Sequence, residues 1–184
     1  MKSYLITDPK YYGSDAETLR RSLQTVLTLH HPDFALFRDK QTSCYPDLAR
    51  TFIETCQNHE VEKIVLHGDP LLAHRFGANG IHLTSHQFAS IAKAKSLGLY
   101  VIISTHTQME VLMAENLGAD AVTYSPIFFS PNKGEPKGLE DLKEIVDKMI
   151  IPIFALGGIT TQEQINAVEA CGAYGFASIR YFIP

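Results

Sequence analysis

Phe76-Gly77-Ala78-Asn79-Gly80, Leu117-Gly118-Ala119-Asp120-Ala121 and Cys171-Gly172-Ala173-Tyr174-Gly175 are three copies of one local device. In each, an amphipathic stretch ends on Gly and a small residue then opens an apolar run. A Gly just past a helix end supplies the left-handed residue that closes the helix. Each copy therefore reads as a helix-to-strand turn. Working outward, apolar runs fall at Tyr4–Thr7, Asp33–Phe37, Lys63–His67, Gly80–Leu83, Leu99–Ser104, Ala119–Tyr124, Pro152–Leu156 and Ala173–Ile179. Their richness in Ile, Val, Leu, Phe and Ala suits parallel strands buried on both faces. Between them, helices are predicted over Asp15–Leu29, Tyr45–Asn58, Leu71–Phe76, Gln87–Leu97, Gln108–Leu117, Leu139–Lys148 and Gln162–Ala170, with Thr107 and Thr161 as N-caps. Strand and helix alternating at a steady period predict one α/β domain over residues 1–184, a (β/α)8 TIM barrel lacking the last helix. An open doubly wound sheet is the alternative.

With 184 residues, 45% hydrophobic and 20% charged, the composition is that of one soluble globular domain, which excludes a disordered or fibrous protein. Sixteen Lys and Arg against 20 Asp and Glu leave a charge of −4 and no basic block. That argues against a nucleic-acid partner held by phosphate charge, though not against a local anion site. No run approaches roughly 18 apolar residues, so no membrane span is expected. The N-terminus turns polar too soon for a signal peptide, and a cytoplasmic location is expected. Cys44, Cys56 and Cys171, an odd number without CxxC spacing, read as free thiols.

Because the predicted elements stop after the eighth strand, the flank between the seventh and first helices is expected to expose apolar surface. A homodimer covering it is expected, with the tail near the interface. In the competing reading Tyr181, Phe182 and Ile183 plug the gap themselves.

Function in such a barrel lies at the C-terminal ends of the strands. Few carboxylates fall there, whereas Arg38, Lys40, Lys133 and Arg180 can converge on one mouth. A cationic mouth on an acidic protein points to a phosphorylated small-molecule substrate. Leu156-Gly157-Gly158-Ile159-Thr160-Thr161 is the sharpest local signal, because two glycines at a helix start bring backbone N–H groups close to an anion. The competing reading is a tight turn that needs Gly for conformation alone. Strand alternation puts Arg38 and Lys40 on one side and Asp39 on the other. Two cations so placed suit a diphosphate, against the reading of a solvated charged loop. The long loop Ser125–Gly138 carries Ser130, Asn132 and Lys133 and reads as a lid. Eight histidines show no HxH or HExxH spacing, and His82 falls in an apolar strand as a core histidine. Transition-metal binding and thiol catalysis are not expected.

Tyr4-Leu5-Ile6-Thr7-Asp8, Arg38-Asp39-Lys40, Gly77-Ala78-Asn79-Gly80-Ile81-His82-Leu83, Ser104-Thr105-His106-Thr107, Gly118-Ala119-Asp120, Ser125-Pro126-Ile127-Phe128 and Ala155-Leu156-Gly157-Gly158-Ile159-Thr160 together resemble the thiamine phosphate synthase family, which includes thiazole tautomerases. The resemblance covers nearly the whole chain and implies a (β/α)8 barrel. It also implies a reaction, in which a hydroxymethylpyrimidine diphosphate loses diphosphate and a thiazole phosphate nitrogen attacks the pyrimidine methylene. By position, Arg38 and Lys40 would hold the diphosphate, and Ser104 would hydrogen-bond it or the pyrimidine. Ser130, Asn132 and Lys133 would form a lid over it. The thiazole phosphate would sit at Gly157, Gly158 and the backbone near Ile179.

The chain departs from the family pattern at several positions. His67 and Gly68 stand where the synthases carry Asn-Asp, and Gln87 stands where they carry a second Asp. Those two Asp residues ligate Mg2+ in the family. Mg2+ is therefore a doubtful cofactor here, with Asp69, one place late, the remaining weak candidate. Leu36 replaces a pyrimidine-contacting Gln, and Arg180 replaces a Ser. Pro126 occupies the position of the tautomerase's catalytic His. Three functions follow: a divergent synthase, a tautomerase-like isomerase using His67, His86 or His106, or a non-catalytic phosphate-binding paralogue.

Overall fold

The apolar runs form eight parallel strands that hydrogen-bond in sequence order and close on themselves, β1 pairing with β8. The computed structural model describes residues 1–39, 44–131 and 133–183. The strands are β1 Lys2–Ile6, β2 Phe34–Phe37, β3 Lys63–His67, β4 Gly80–Leu83, β5 Tyr100–Thr105, β6 Ala121–Tyr124, β7 Ile153–Leu156 and β8 Gly175–Ser178. Crossover helices are α2 Ala16–His30, α3 Tyr45–Gln57, α4 Pro70–Phe76, α5 Ile91–Ser96, α6 Gln108–Asn116, α7 Gly138–Lys148 and α8 Gln162–Ala170. Thr107 and Thr161 each complete a full capping box, with Glu110 and Gln164 returning the bond. The three helix-ending glycines, Gly77, Gly118 and Gly172, sit at φ 79°, 82° and 79°, the conformation their place in the repeat requires.

Two packed clusters follow from strand alternation. Leu5, Ala35, Phe37, Leu66, Ile81, Val101 and Val122 face outward and pack under the helices. Tyr4, Ile6, Phe34, Leu36, Val65, Ile102, Ala121, Phe154 and Ala177 fill the barrel. Large and small side chains alternate inside. A Cβ on Gly175 would lie 2.5 Å from Phe154 Cε1, so that glycine makes room for the ring. The N-terminal end is closed by Lys2 Nζ, 2.8 Å from Asp33 Oδ1 and 2.7 Å from Glu62 Oε2.

Several expectations are corrected. A one-turn helix, α1 Pro9–Tyr12, precedes α2 and was not anticipated. The helix expected over Gln87–Leu97 is a 3-10 turn, Phe88–Ser90, followed by α5, because the Gln87 side chain is drawn into the neighbouring loops. After β8, among the described residues, a 3-10 turn at Arg180–Phe182 takes the place of a crossover helix. Its Phe182 is buried, stacked on Phe176 at 5.8 Å and edge-on to His30 at 5.4 Å. Tyr181 donates its hydroxyl to Gln162 Oε1 at 3.0 Å. The tail thus fills the flank between α8 and α2 from within the chain.

Candidate active site

The inward alternation continues past the strand ends, and those residues build the mouth. Phe34 and Leu36 are followed by Arg38, Ile102 by Ser104 and His106, Leu156 by Gly158, and Ala177 by Ile179. Together with the loops they line a cavity of about 820 Å³. Of the residues singled out from sequence, Arg38, Ser104, Ser130, Lys133, Gly157, Gly158, Ile179 and Arg180 all line it. Lys40 and Asn132 lie outside the described residues. Asp39, the outward member of its strand end, is 7% exposed and off the mouth.

Lys10 and Tyr11 also line the cavity, and sequence reasoning missed them. The signal was Asp8-Pro9, an acidic N-cap followed by proline at the first helical position. Of the cavity's residues only Asp8 carries a carboxylate, and its Oδ1 accepts the Lys10 backbone N–H at 2.9 Å. Lys10, Arg38, Lys133 and Arg180 make no ion pair among the described residues. Unpaired cations in a concave mouth concentrate anions there.

The double glycine has a packing reason. Ile127 and Phe128 donate their N–H groups to Leu156 O at 2.9 Å and Gly157 O at 3.0 Å, laying the start of the loop after β6 across the turn. A Cβ on Gly157 would come within 2.7 Å of Pro126 Cα, and one on Gly158 within 2.8 Å of Phe128 C. The N–H groups of Gly158 and Ile179 donate to nothing among the described residues. Ser178 Oγ donates to Ile159 O at 2.7 Å and accepts from Tyr181 N at 3.2 Å, fixing the two loops that carry these donors. Free donors on two adjoining loops, next to Arg180, are an arrangement that can accept an anion.

At the floor, His82 is 3% exposed, with Nδ1 2.9 Å from the Tyr4 hydroxyl and Nε2 2.9 Å from Ser104 Oγ. Burial, with the nearby His67 and Arg38, pushes its pKa down to about 3. It is a satisfied core histidine, as expected from its strand.

The residues present do not fit Mg2+. Gln87 Nε2 donates to Gly68 O at 2.7 Å, and Gln87 Oε1 accepts from Thr84 N and Thr84 Oγ1 at 3.0 and 3.1 Å. Asp69 accepts the Leu71 and Leu72 N–H groups at 2.9 and 3.0 Å as the N-cap of α4 and does not line the cavity. Among the described residues no group of three His, Cys, Asp or Glu could hold a metal. Mg2+ sites usually need one or two carboxylates, and the mouth offers cations instead.

The family model for thiamine monophosphate synthase matches residues 3–182. The chain is 32% identical to a putative thiamine-phosphate synthase 2 of Aquifex aeolicus, over 98% of this chain and 96% of that one. It is also 32% identical to the thiamine-phosphate synthase of Clostridium novyi, over 97% and 88%. Among solved structures, thiamine phosphate pyrophosphorylase from Pyrococcus furiosus superposes with a TM-score of 0.75 at 23% identity, covering 97% of this chain and 85% of that one. N-acetylmannosamine-6-phosphate 2-epimerase from Clostridium perfringens superposes at 0.76 with 14% identity, covering 98% and 86%. Two different chemistries at the same structural distance leave the fold alone uninformative about the reaction.

Proposed function

Because the chain belongs to the thiamine monophosphate synthase family, we propose that it couples a hydroxymethylpyrimidine diphosphate to a thiazole phosphate. The pyrimidine CH2–O bond breaks and its electron pair leaves with the diphosphate. The thiazole nitrogen lone pair forms the new C–N bond, giving a thiazolium, and no proton need move. The observation that carries this reading is the set of mouth cations, Lys10, Arg38, Lys133 and Arg180, left without carboxylate partners among the described residues. Preorganised cations where charge develops are usually the largest contribution to such a step.

In this reading Arg38 and Lys133, with Lys10, hold the leaving diphosphate, and side-chain cations rather than Mg2+ meet its charge. The Gly158 and Ile179 N–H groups, beside Arg180, hold the thiazole phosphate. Ser130 closes over the site from the lid, and Ser104 donates from the floor. No helix among the described residues is long and apolar enough to cross a membrane, and the proposed setting is the cytoplasm.

A homodimer is part of the proposal. The flank that suggested it is filled by Phe182, and exposed apolar side chains lie on α6, at Met109, Leu112 and Met113, and just past its end at Leu117. Light scattering at high micromolar concentration should give twice the chain mass, and a monomer there removes the dimer.

Product analysis tests the reaction. Purified protein is given both substrates, with Mg2+ in one arm and a chelator in the other, beside a thiazole tautomerase assay. Thiamine phosphate in both arms is the expected result. Isomerised thiazole without coupling would replace this reading with the tautomerase one.

A further inference from the structure

We propose that Tyr4 and His82 are positioning residues that fix Ser104 as a hydrogen-bond donor into the mouth, so that the site takes an acceptor atom of the ligand at that point. The inference deepens the functional reading above and rests on it for the identity of the ligand.

The three groups form one line from the barrel interior to the cavity. The Tyr4 hydroxyl lies 2.9 Å from His82 Nδ1, and His82 Nε2 lies 2.9 Å from Ser104 Oγ. Tyr4 is 0% exposed, and the imidazole is its only hydroxyl partner among the described residues. Burial raises the phenol well above its usual range, so it keeps its proton. A buried O–H left without an acceptor is destabilising. The acceptor it meets among the described residues is Nδ1.

The direction of the remaining bonds then follows. If Nδ1 accepts, a neutral imidazole carries its hydrogen on Nε2. Burial and the flanking His67 and Arg38 keep the ring neutral. Nε2–H therefore donates to Ser104 Oγ. The serine hydrogen finds no acceptor among the described residues, and Ser104 lines the cavity. Its O–H is left to point at the ligand. The reverse polarity would strand the tyrosine hydrogen in the barrel core. Tyr4 is held in place by Phe34 and Phe154, at ring distances of 5.7 and 5.2 Å, so the line has little freedom to re-form differently. A serine locked as a donor suits a diphosphate oxygen or an unprotonated ring nitrogen, and disfavours an N–H or O–H of the ligand.

The test is 15N NMR of the histidine-labelled wild-type protein without ligand. His82 is expected as the Nε2–H tautomer at neutral pH, unprotonated down to pH 5. The Nδ1–H tautomer, or an exchanging mixture, would overturn the proposal whatever the protein catalyses. A double-mutant cycle gives the functional arm. Tyr4→Phe and Ser104→Ala should each weaken affinity for the pyrimidine diphosphate about fivefold, the size of one neutral hydrogen bond. The double variant should be no weaker than either alone. Independent, multiplying effects would overturn the coupling. If Tyr4→Phe does not fold, the wild-type tautomer still decides. If the tautomer is as expected and no pyrimidine substrate binds, the functional reading fails and the relay stands.

Discussion

Gln87 donates its side-chain N–H to the Gly68 carbonyl across 2.7 Å, joining the loop after β4 to the loop after β3. These are the two positions where the family resemblance places metal-ligating carboxylates. A direct hydrogen bond thus ties together the two loops from which those carboxylates would come.

Calorimetry on the free protein should accordingly detect no stoichiometric Mg2+ binding. The double substitution Gly68→Asp and Gln87→Asp should gain it. Gly68 has φ 83° with nothing within 4 Å of an added Cβ. The aspartate would therefore cost only about 1–2 kcal/mol of backbone strain. Tight Mg2+ binding by the unmodified chain would contradict this account of the mouth.

Arg38→Ala should lower kcat/KM for the diphosphate substrate about 10- to 100-fold, the value of a charge-assisted contact of about 1.5–3 kcal/mol. Thermal stability should change little, because Arg38 makes no ion pair among the described residues. Raising the ionic strength should weaken diphosphate binding to the wild type more than to the variant. Equal salt dependence would remove Arg38 from the site.

Gly158→Ala should destabilise the fold. Gly158 has φ 70°, and an added Cβ would press on Phe128 and on the Phe129 carbonyl, which are backbone rather than flexible side chain. A loss of about 2 kcal/mol or more is expected, lowering Tm by roughly 4–8 °C in a scanning experiment. Phosphate binding should weaken with it, because the same turn carries the donors. An unchanged Tm would mean the loop after β6 does not lie across the glycines.

His82 predicts acid sensitivity. Its folded pKa is depressed to about 3, against about 6.5 when unfolded. Its contribution to stability is therefore complete above about pH 6.5 and is lost as pH falls toward 3, by up to about 1.4 kcal/mol per pH unit. A His82→Gln variant should be less stable at neutral pH but show a flatter Tm profile between about pH 4 and 6. Parallel profiles would contradict a neutral buried imidazole.

Much of the barrel was legible in the chain because its signals are local. Thr107 and Thr161 cap their helices, and Gly77, Gly118 and Gly172 end theirs, each within one turn. Alternation along a strand also placed Arg38 in the mouth and Asp39 away from it. What escaped depends on side chains reaching across loops. Gln87 looks like an ordinary helix-start residue until its amide is found on Gly68, nineteen positions back. Asp69 looks like a possible metal ligand until its carboxylate is found capping α4. Lys10 was passed over because one turn of helix is too short for periodicity to register. The glycine pair was read for ligand approach or for turn conformation, while Pro126 and Phe128 supply a packing reason from a distant segment.

The most direct measurement of the central claim is diphosphate release from the hydroxymethylpyrimidine substrate, followed in excess chelator with and without the thiazole phosphate. If Lys10, Arg38 and Lys133 meet the charge of the leaving group, diphosphate should appear together with coupled product. Its rate should lie within a few fold of that in Mg2+ and fall in the Arg38→Ala variant. Release that requires added Mg2+, or no release although both substrates bind, would contradict a mouth in which side-chain cations drive the coupling.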